Sequence, residues 1–210
     1  MTDFLFDGPE DAPRRVLLAH GAGAPMDAAA MTAAAKALAA VGLRVARFEF
    51  GYMAARRTGG RGGPPRAEAV MPEYVAAVDA LGPGAPLVIG GKSLGGRVAS
   101  RVADGLRAEG KVAGLLCLGY PFHPPGKPAQ LRTAHLGGLA TPALIAQGTR
   151  DPFGTREEVA GYTLSPAIEV LWVEDGDHDL RPRKGVTGVS TAEAMAAVAA
   201  RARDWAGALA

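Results

Sequence analysis

The 210-residue sequence predicts an α/β fold with a mostly parallel central sheet and helices on both faces. Three observations carry that reading. Short apolar runs alternate with longer helical patterns along almost the whole chain. The apolar runs lack polar alternation, the mark of strands buried on both faces. The length suits one sizeable core, so residues 1–210 are expected to form a single domain, with no repeat and no insertion long enough for a second.

The expected strands, in order, are 14–19 (RRVLLA), 43–50 (LRVARFEF), 86–90 (PLVIG), 112–119 (VAGLLCLG), 142–147 (PALIAQ) and 168–173 (IEVLWV). The residues FLFDG near the start add a short antiparallel edge strand. Helical patterns lie between them at 27–41, 67–81, 94–109, 155–163 and 190–208. Thr155 with Glu158, and Ser190 with Glu193, form capping boxes that satisfy free amides at the starts of the last two helices. Residues 54–66, AARRTGGRGGPPR, are rich in Gly, Pro and Arg and are expected to be a loop. Residues 120–141 form a proline-rich connection with one helical turn, too short for a cap domain, so the fold is minimal and its pocket open or covered by a modest flap.

Composition narrows the function classes. With 48% hydrophobic and 21% charged residues the chain reads as soluble and globular. Lys and Arg total 23 against 21 acids, a net charge of +2 that gives no reason to expect nucleic acid. The start, MTDFLFDGPEDAPRR, lacks the pattern of a signal peptide, and charges such as Asp27 and Lys36 interrupt the alanine-rich stretches, so no membrane span is expected and the location reads as cytoplasmic. The single cysteine, Cys117, sits in an apolar run as a small buried hydrophobe and excludes an internal disulfide framework.

The stretch LVIGGKSLGGRVA, residues 87–99, holds the chemistry. Its Gly91-Lys92-Ser93 ends like a nucleotide-binding loop, but such a loop needs glycine where this chain has Pro86, and Leu87–Ile89 are strand centre. The nucleophile elbow of a serine hydrolase fits instead. A strand ends just before Ser93, a helix starts just after it, and Gly91 and Gly95 supply the small residues that a sharp strand-to-helix turn needs two positions either side. In that architecture the chain order is nucleophile, acid, histidine. Asp151 follows the strand 142–147 and His178 follows the strand 168–173, whereas His20, His123 and His135 come too early. Asp175, Asp177 and Asp179 are too close in sequence to His178 to orient its ring. Ser93, Asp151 and His178 are therefore the candidate catalytic triad. The loop His20-Gly21-Ala22-Gly23 after the first strong strand can aim an amide at the nucleophile, which makes the backbone N–H groups of Ala22 and Leu94 the candidate oxyanion hole. His20 is expected to brace that loop. Gly21, Gly23, Tyr52, Tyr120, Phe122 and His123 are candidate pocket residues, with a proline-stiffened structural loop as the alternative for the last three.

These residues resemble the α/β-hydrolase superfamily, and most closely a small hydrolase-like family that includes the testis-expressed hydrolase-like protein and its bacterial relatives. The resemblance rests on LAHGAGAP, RFEFGYM, GGKSLGGRVA, LGYPFHPPGKP with LRTAHL, QGTRDPFG and GDHDL, and covers nearly the whole chain. It implies the same triad, with dienelactone-hydrolase-like enzymes as better-understood cousins. Lys92 stands where many relatives have Arg, and Gly51 where many have Pro. The expectation is a carboxylesterase-like serine hydrolase acting on small soluble esters or thioesters through an acyl-enzyme. The alternative is a hydrolase fold retained as a catalytically silent binding or scaffold protein, as some eukaryotic relatives serve in chromatin complexes. No metal or organic cofactor is implied, no nucleic-acid or membrane partner is expected, and the chain is expected to be a monomer or homodimer. The arginines of 54–66 read as solvated loop charge or as an attractor for an anionic substrate or partner.

Overall fold

The computed structural model describes residues 2–209; Met1 and Ala210 of the expected domain lie outside them. Seven strands form one sheet: β1 (Phe4–Asp7), β2 (Arg15–Ala19), β3 (Arg44–Phe48), β4 (Leu87–Lys92), β5 (Gly114–Leu118), β6 (Ala143–Gly148) and β7 (Ile168–Val173). The spatial order is β1-β3-β2-β4-β5-β6-β7. Only β1 is antiparallel, pairing Phe4 with Phe48 and Asp7 with Val45, which is the edge strand expected from FLFDG. The helices are α1 (Ala29–Ala40), α2 (Gly51–Arg57), α3 (Ala67–Leu81), α4 (Leu94–Ala108), α5 (Arg156–Val159), α6 (Lys184–Thr187) and α7 (Thr191–Gly207).

The pleat sends successive strand residues to opposite faces, and both faces are covered. Leu17, Ala19, Ile89, Leu115 and Cys117 pack under α3 and α4, with Val70, Tyr74, Val98 and Val102. Val16, Leu18, Val88, Leu116 and Leu144 pack under α1 and α7, with Leu38, Val198 and Trp205. Cys117 is fully buried, and burial raises its thiol pKa, so it behaves as the small hydrophobe expected. The β7 edge is different. Its residues from Ile168 to Trp172 are only half-buried, because a last strand has a neighbour on one side alone.

Both capping boxes form: Thr155 Oγ1 accepts from the Glu158 amide, Ser190 Oγ from the Glu193 amide, and each Glu reaches back. The expected loop 54–66 is corrected in its first part, since 54–57 belong to α2. Ala54, Ala55, Arg56 and Arg57 are good helix formers, and the helix-breaking glycines begin only at Gly59. The fifth helix is shorter than expected and the four-residue α6 was not foreseen. Residues 120–141 carry only a 3₁₀ turn, Leu136–Gly138. Among the described residues no helix is long and apolar enough to cross a membrane.

The topology fixes where a site can form. The chain leaves β2 to one side for β3 and returns on the other side as β4, so the loops after β2 and β4 part and open a crevice at their carboxyl ends.

Candidate active site

Ser93 stands in that crevice, between the end of β4 and the start of α4, with φ 51° and ψ −112°. A side chain other than glycine held at positive φ costs energy, and the surroundings must enforce it. The Ser93 amide donates to Leu118 O at 3.1 Å, and Ser93 O accepts from the Arg97 amide at 3.0 Å. The two flanking glycines leave no alternative: a Cβ at Gly91 would stand 2.4 Å from Ala19 O, and one at Gly95 2.2 Å from the same oxygen. The turn can thus press against β2 only because both positions lack a side chain.

The three predicted residues meet. His178 Nε2 lies 2.9 Å from Ser93 Oγ, and His178 Nδ1 lies 2.8 Å from Asp151 Oδ2. Asp151 is fully buried. Its Oδ1 accepts from the Phe153 amide at 2.8 Å and its Oδ2 from Gln147 Nε2 at 2.9 Å. Buried carboxylate oxygens without donors would be costly, and these contacts satisfy both of them. The Phe153 ring stacks on the His178 ring, centroids 4.0 Å apart. The other acids near His178 are engaged elsewhere: Asp175 with Arg183, and Asp177 with the amides of Asp179 and Arg181.

Three supporting groups were not legible in the sequence. Gln147, fully buried, also accepts from the Tyr120 amide at 2.7 Å and donates to Gly154 O at 3.1 Å, tying β6 to the loops that follow β5 and β6. Phe153 clamps the histidine ring. Lys92 donates from Nζ to the His178 carbonyl and pairs with Asp179 at 3.4 Å, holding the histidine loop against β4. Burial lowers the Lys92 pKa, opposed by the carboxylates of Asp179, Asp151 and Asp177.

The loop after β2 lies alongside. A Cβ at Gly21 would be 3.7 Å from Ser93 Cβ, so the segment Gly21-Ala22-Gly23 passes beside Ser93. Neither the Ala22 nor the Leu94 amide donates to a protein acceptor among the described residues. His20 braces this loop: Nε2 accepts from the Phe50 amide at 3.1 Å, which leaves Nδ1–H to donate to Gly21 O at 2.7 Å. Burial lowers the His20 pKa, in keeping with a neutral ring in that tautomer. Tyr52 Oη donates to Ala22 O at 3.1 Å, and burial pushes its phenol up to about 12. Arg57 closes the far end by pairing with Glu49 at 2.7 Å and Asp27 at 2.8 Å, so this arginine of the 54–66 stretch is a clamp rather than free loop charge.

Of the pocket candidates, Gly21, Gly23 and Tyr52 lie on this loop or against it. Tyr120, Phe122 and His123 do not open to the surface: the first two are fully buried and His123 is 2% exposed. The proline-rich connection folds back over them, with Tyr120 Oη donating to Arg132 O and the His123 amide to Phe153 O, each at 3.1 Å. They take the structural alternative and shape the acid loop.

Residues 12–207 match the profile of the alpha/beta hydrolase domain family. Among solved structures, the chain is similar to an α/β serine hydrolase without lid from Xanthomonas campestris, at TM-score 0.72 and 21% identity, over 99% of this chain and 90% of that one. It is similar to a dienelactone hydrolase from Anabaena variabilis at TM-score 0.72 and 22% identity, over 97% and 90%. A third, the ferulic-acid-bound Est1E from Butyrivibrio proteoclasticus, aligns at TM-score 0.67 and 16% identity over 95% and 94%. These likenesses concern the fold; the profile, spanning nearly the whole chain, decides the family. The chain belongs to the alpha/beta hydrolase domain family.

Proposed function

We propose that this protein is a serine hydrolase that cleaves carboxylic esters or thioesters of small soluble substrates through an acyl-enzyme. The observation that carries the reading is the unbroken hydrogen-bonded chain from buried Asp151 through His178 to a serine held in a strained turn. Ser93 Oγ attacks the acyl carbon while its proton passes to His178 Nε2. Asp151 holds Nδ1–H and stabilises the imidazolium. The developing oxyanion is received by the amides of Ala22 and Leu94, which have no competing acceptor; each donor is worth roughly 2.7–4 kcal/mol in the transition state. The tetrahedral intermediate expels the alkoxide or thiolate, which takes the proton from Nε2. Water then gives its proton to the same nitrogen, attacks the acyl carbon, and returns Ser93 with release of the carboxylic acid.

The dienelactone hydrolase among the similar structures supports ester chemistry. Thioesters present the same acyl carbon with a better leaving group. Within the family, the quoted motifs favour the small testis-expressed-type branch, and we take the chain to be one cytoplasmic hydrolase domain, monomeric or homodimeric. A silent scaffold would have no use for the strain at Ser93 or for a buried carboxylate aimed at a histidine, which favours the enzyme. The test is kcat/KM on 4-nitrophenyl butyrate for the wild type and Ser93→Ala. The expected result is a loss of at least about 10³-fold; equal turnover by the two proteins would overturn the proposal.

A further inference from the structure

Along α4, beginning one turn past Ser93, stands a cluster of guanidinium groups that the mechanism leaves unused. Arg97 follows Ser93 by four residues, one turn or about 6 Å along α4, and Arg101 lies one turn further. Helices α3 and α4 both start at the carboxyl edge of the sheet. Glu68, in the first turn of α3, therefore meets both arginines: its Oε1 is 3.3 Å from Arg97 and 3.6 Å from Arg101. Arg66, the N-cap of α3, acts on the same carboxylate. Arg132 enters from the connection after β5, its amide donating to Phe122 O at 2.7 Å and its carbonyl accepting from Tyr120 Oη.

The charges in this cluster do not balance. Among the described residues no carboxylate pairs with Arg132, and the charge that acts on it most is the guanidinium of Arg97, a like charge. Arg97 Nε is buried without a hydrogen-bond partner. Asp104, the next acid along α4, gives its oxygens to the amides of Ala140 and Thr141 and to the Thr141 hydroxyl. Partly desolvated guanidinium groups side by side repel each other, and removing them from water is unfavourable unless an anion joins them. The field of the cluster is felt at His135, which donates to Ser100 Oγ: burial, together with Arg101 and Arg97, holds it down to about 4.

We propose that Arg97, Arg101 and Arg132 form a subsite for an anionic group, a carboxylate or phosphate, carried by the ester or thioester that Ser93 attacks. The proposal rests on the serine-hydrolase reading and adds the substrate class to it. Guanidinium forks match planar and tetrahedral oxyanions and keep their charge at any working pH, which suits this role. The subsite reads charge while the triad performs the chemistry.

The test compares kcat/KM for matched probes. 4-Nitrophenyl hemisuccinate carries the anion on the acyl half and is set against neutral 4-nitrophenyl butyrate. The acetyl thioester of 2-mercaptoethyl phosphate carries it on the leaving half and is set against that of 2-mercaptoethanol. One anionic probe should exceed its neutral partner by about ten-fold or more, and identify the half that carries the charge. That ratio should fall about ten-fold in Arg132→Gln and measurably in the surface variant Arg101→Gln. Arg203→Gln removes an equal charge from α7 and should leave the ratio where it is. Neutral probes turned over with no preference for either anion, or a ratio unmoved in both Arg132→Gln and Arg101→Gln, would overturn the subsite alone. No turnover of any probe would instead bring down the hydrolase reading, and the subsite with it.

Discussion

The two edges of the parallel sheet are built on opposite principles. At the edge where the strands begin lies a hollow of about 890 Å³, lined by Arg15, Leu87, Asp104, Arg107, Lys111 and Ala113 among others. Its polar groups are largely settled. Arg15 donates to Ala85 O and Gly82 O at 2.9 and 3.0 Å, Lys111 pairs with Asp79 at 2.7 Å, and Asp104 closes on Thr141. At the edge where the strands end there is strain and buried charge instead: Ser93 at positive φ, a fully buried Asp151, and a desolvated Lys92. Room does not make chemistry. Groups held in costly states, each with a partner that keeps it there, mark the edge proposed to react.

The largest effect should separate these edges directly. Asp151→Asn keeps the shape but replaces the carboxylate that faces His178 Nδ1, and under the proposed mechanism kcat on a neutral ester should fall by about 10⁴-fold. Arg107→Gln in the hollow should change it by less than about two-fold. Equal losses would erase the distinction. Next comes backbone strain. Gly95→Ala drives a Cβ into Ala19 O and should cost about 3 kcal/mol or prevent folding. Gly105→Ala, on the exposed face of the same helix with nothing within 4 Å, should raise stability by about 0.5–1 kcal/mol. Urea unfolding of the two variants reads both numbers.

A smaller loss is expected from Gln147→Leu. Asp151 keeps the Phe153 amide but loses its side-chain donor, and the Tyr120 amide is left unpaired. Stability should fall by about 2 kcal/mol and kcat by about ten-fold, because the acid is no longer held in line with the histidine. The smallest effect is a slope in pH. His135 binds its proton near pH 4 in the fold and near 6.5 when unfolded, so between those values the unfolded state holds more protons and stability rises with pH. Tm should therefore fall on acidification from pH 6.5 to 4, and His135→Gln should flatten that part of the curve. An unchanged curve would mean that neither burial nor the positive field around Arg97 and Arg101 holds the proton off this ring.

What could be read from the sequence follows the same division. Ser93, Asp151 and His178 were legible because each is tied to a strand end and their order along the chain is restricted, and the elbow glycines follow from a local steric need. Gln147, Phe153 and Lys92 were not, since their roles depend on contacts across 4 to 86 residues that no local pattern encodes. Tyr120, Phe122 and His123 looked like pocket wall because they follow a strand at the edge where Ser93 stands. Only the return of the chain through Arg132 shows that they are covered. The stretch 54–66 hid half of α2 because its glycines and prolines outweighed the four helix formers at its start. Arg97 lies inside the elbow motif, yet that it shares Glu68 with Arg101 and keeps a buried Nε without a partner appears only when α3, α4 and the connection after β5 are brought together.

The most direct test of the central claim is covalent labelling of the whole protein with a fluorophosphonate, located by mass spectrometry in the wild type and in His178→Ala. The account predicts a single adduct on Ser93 in the wild type, with labelling of the folded variant slowed by at least about 10³-fold, because the base that removes the serine proton is gone. A folded wild type that stays unlabelled, or a variant labelled at the same rate, would contradict it.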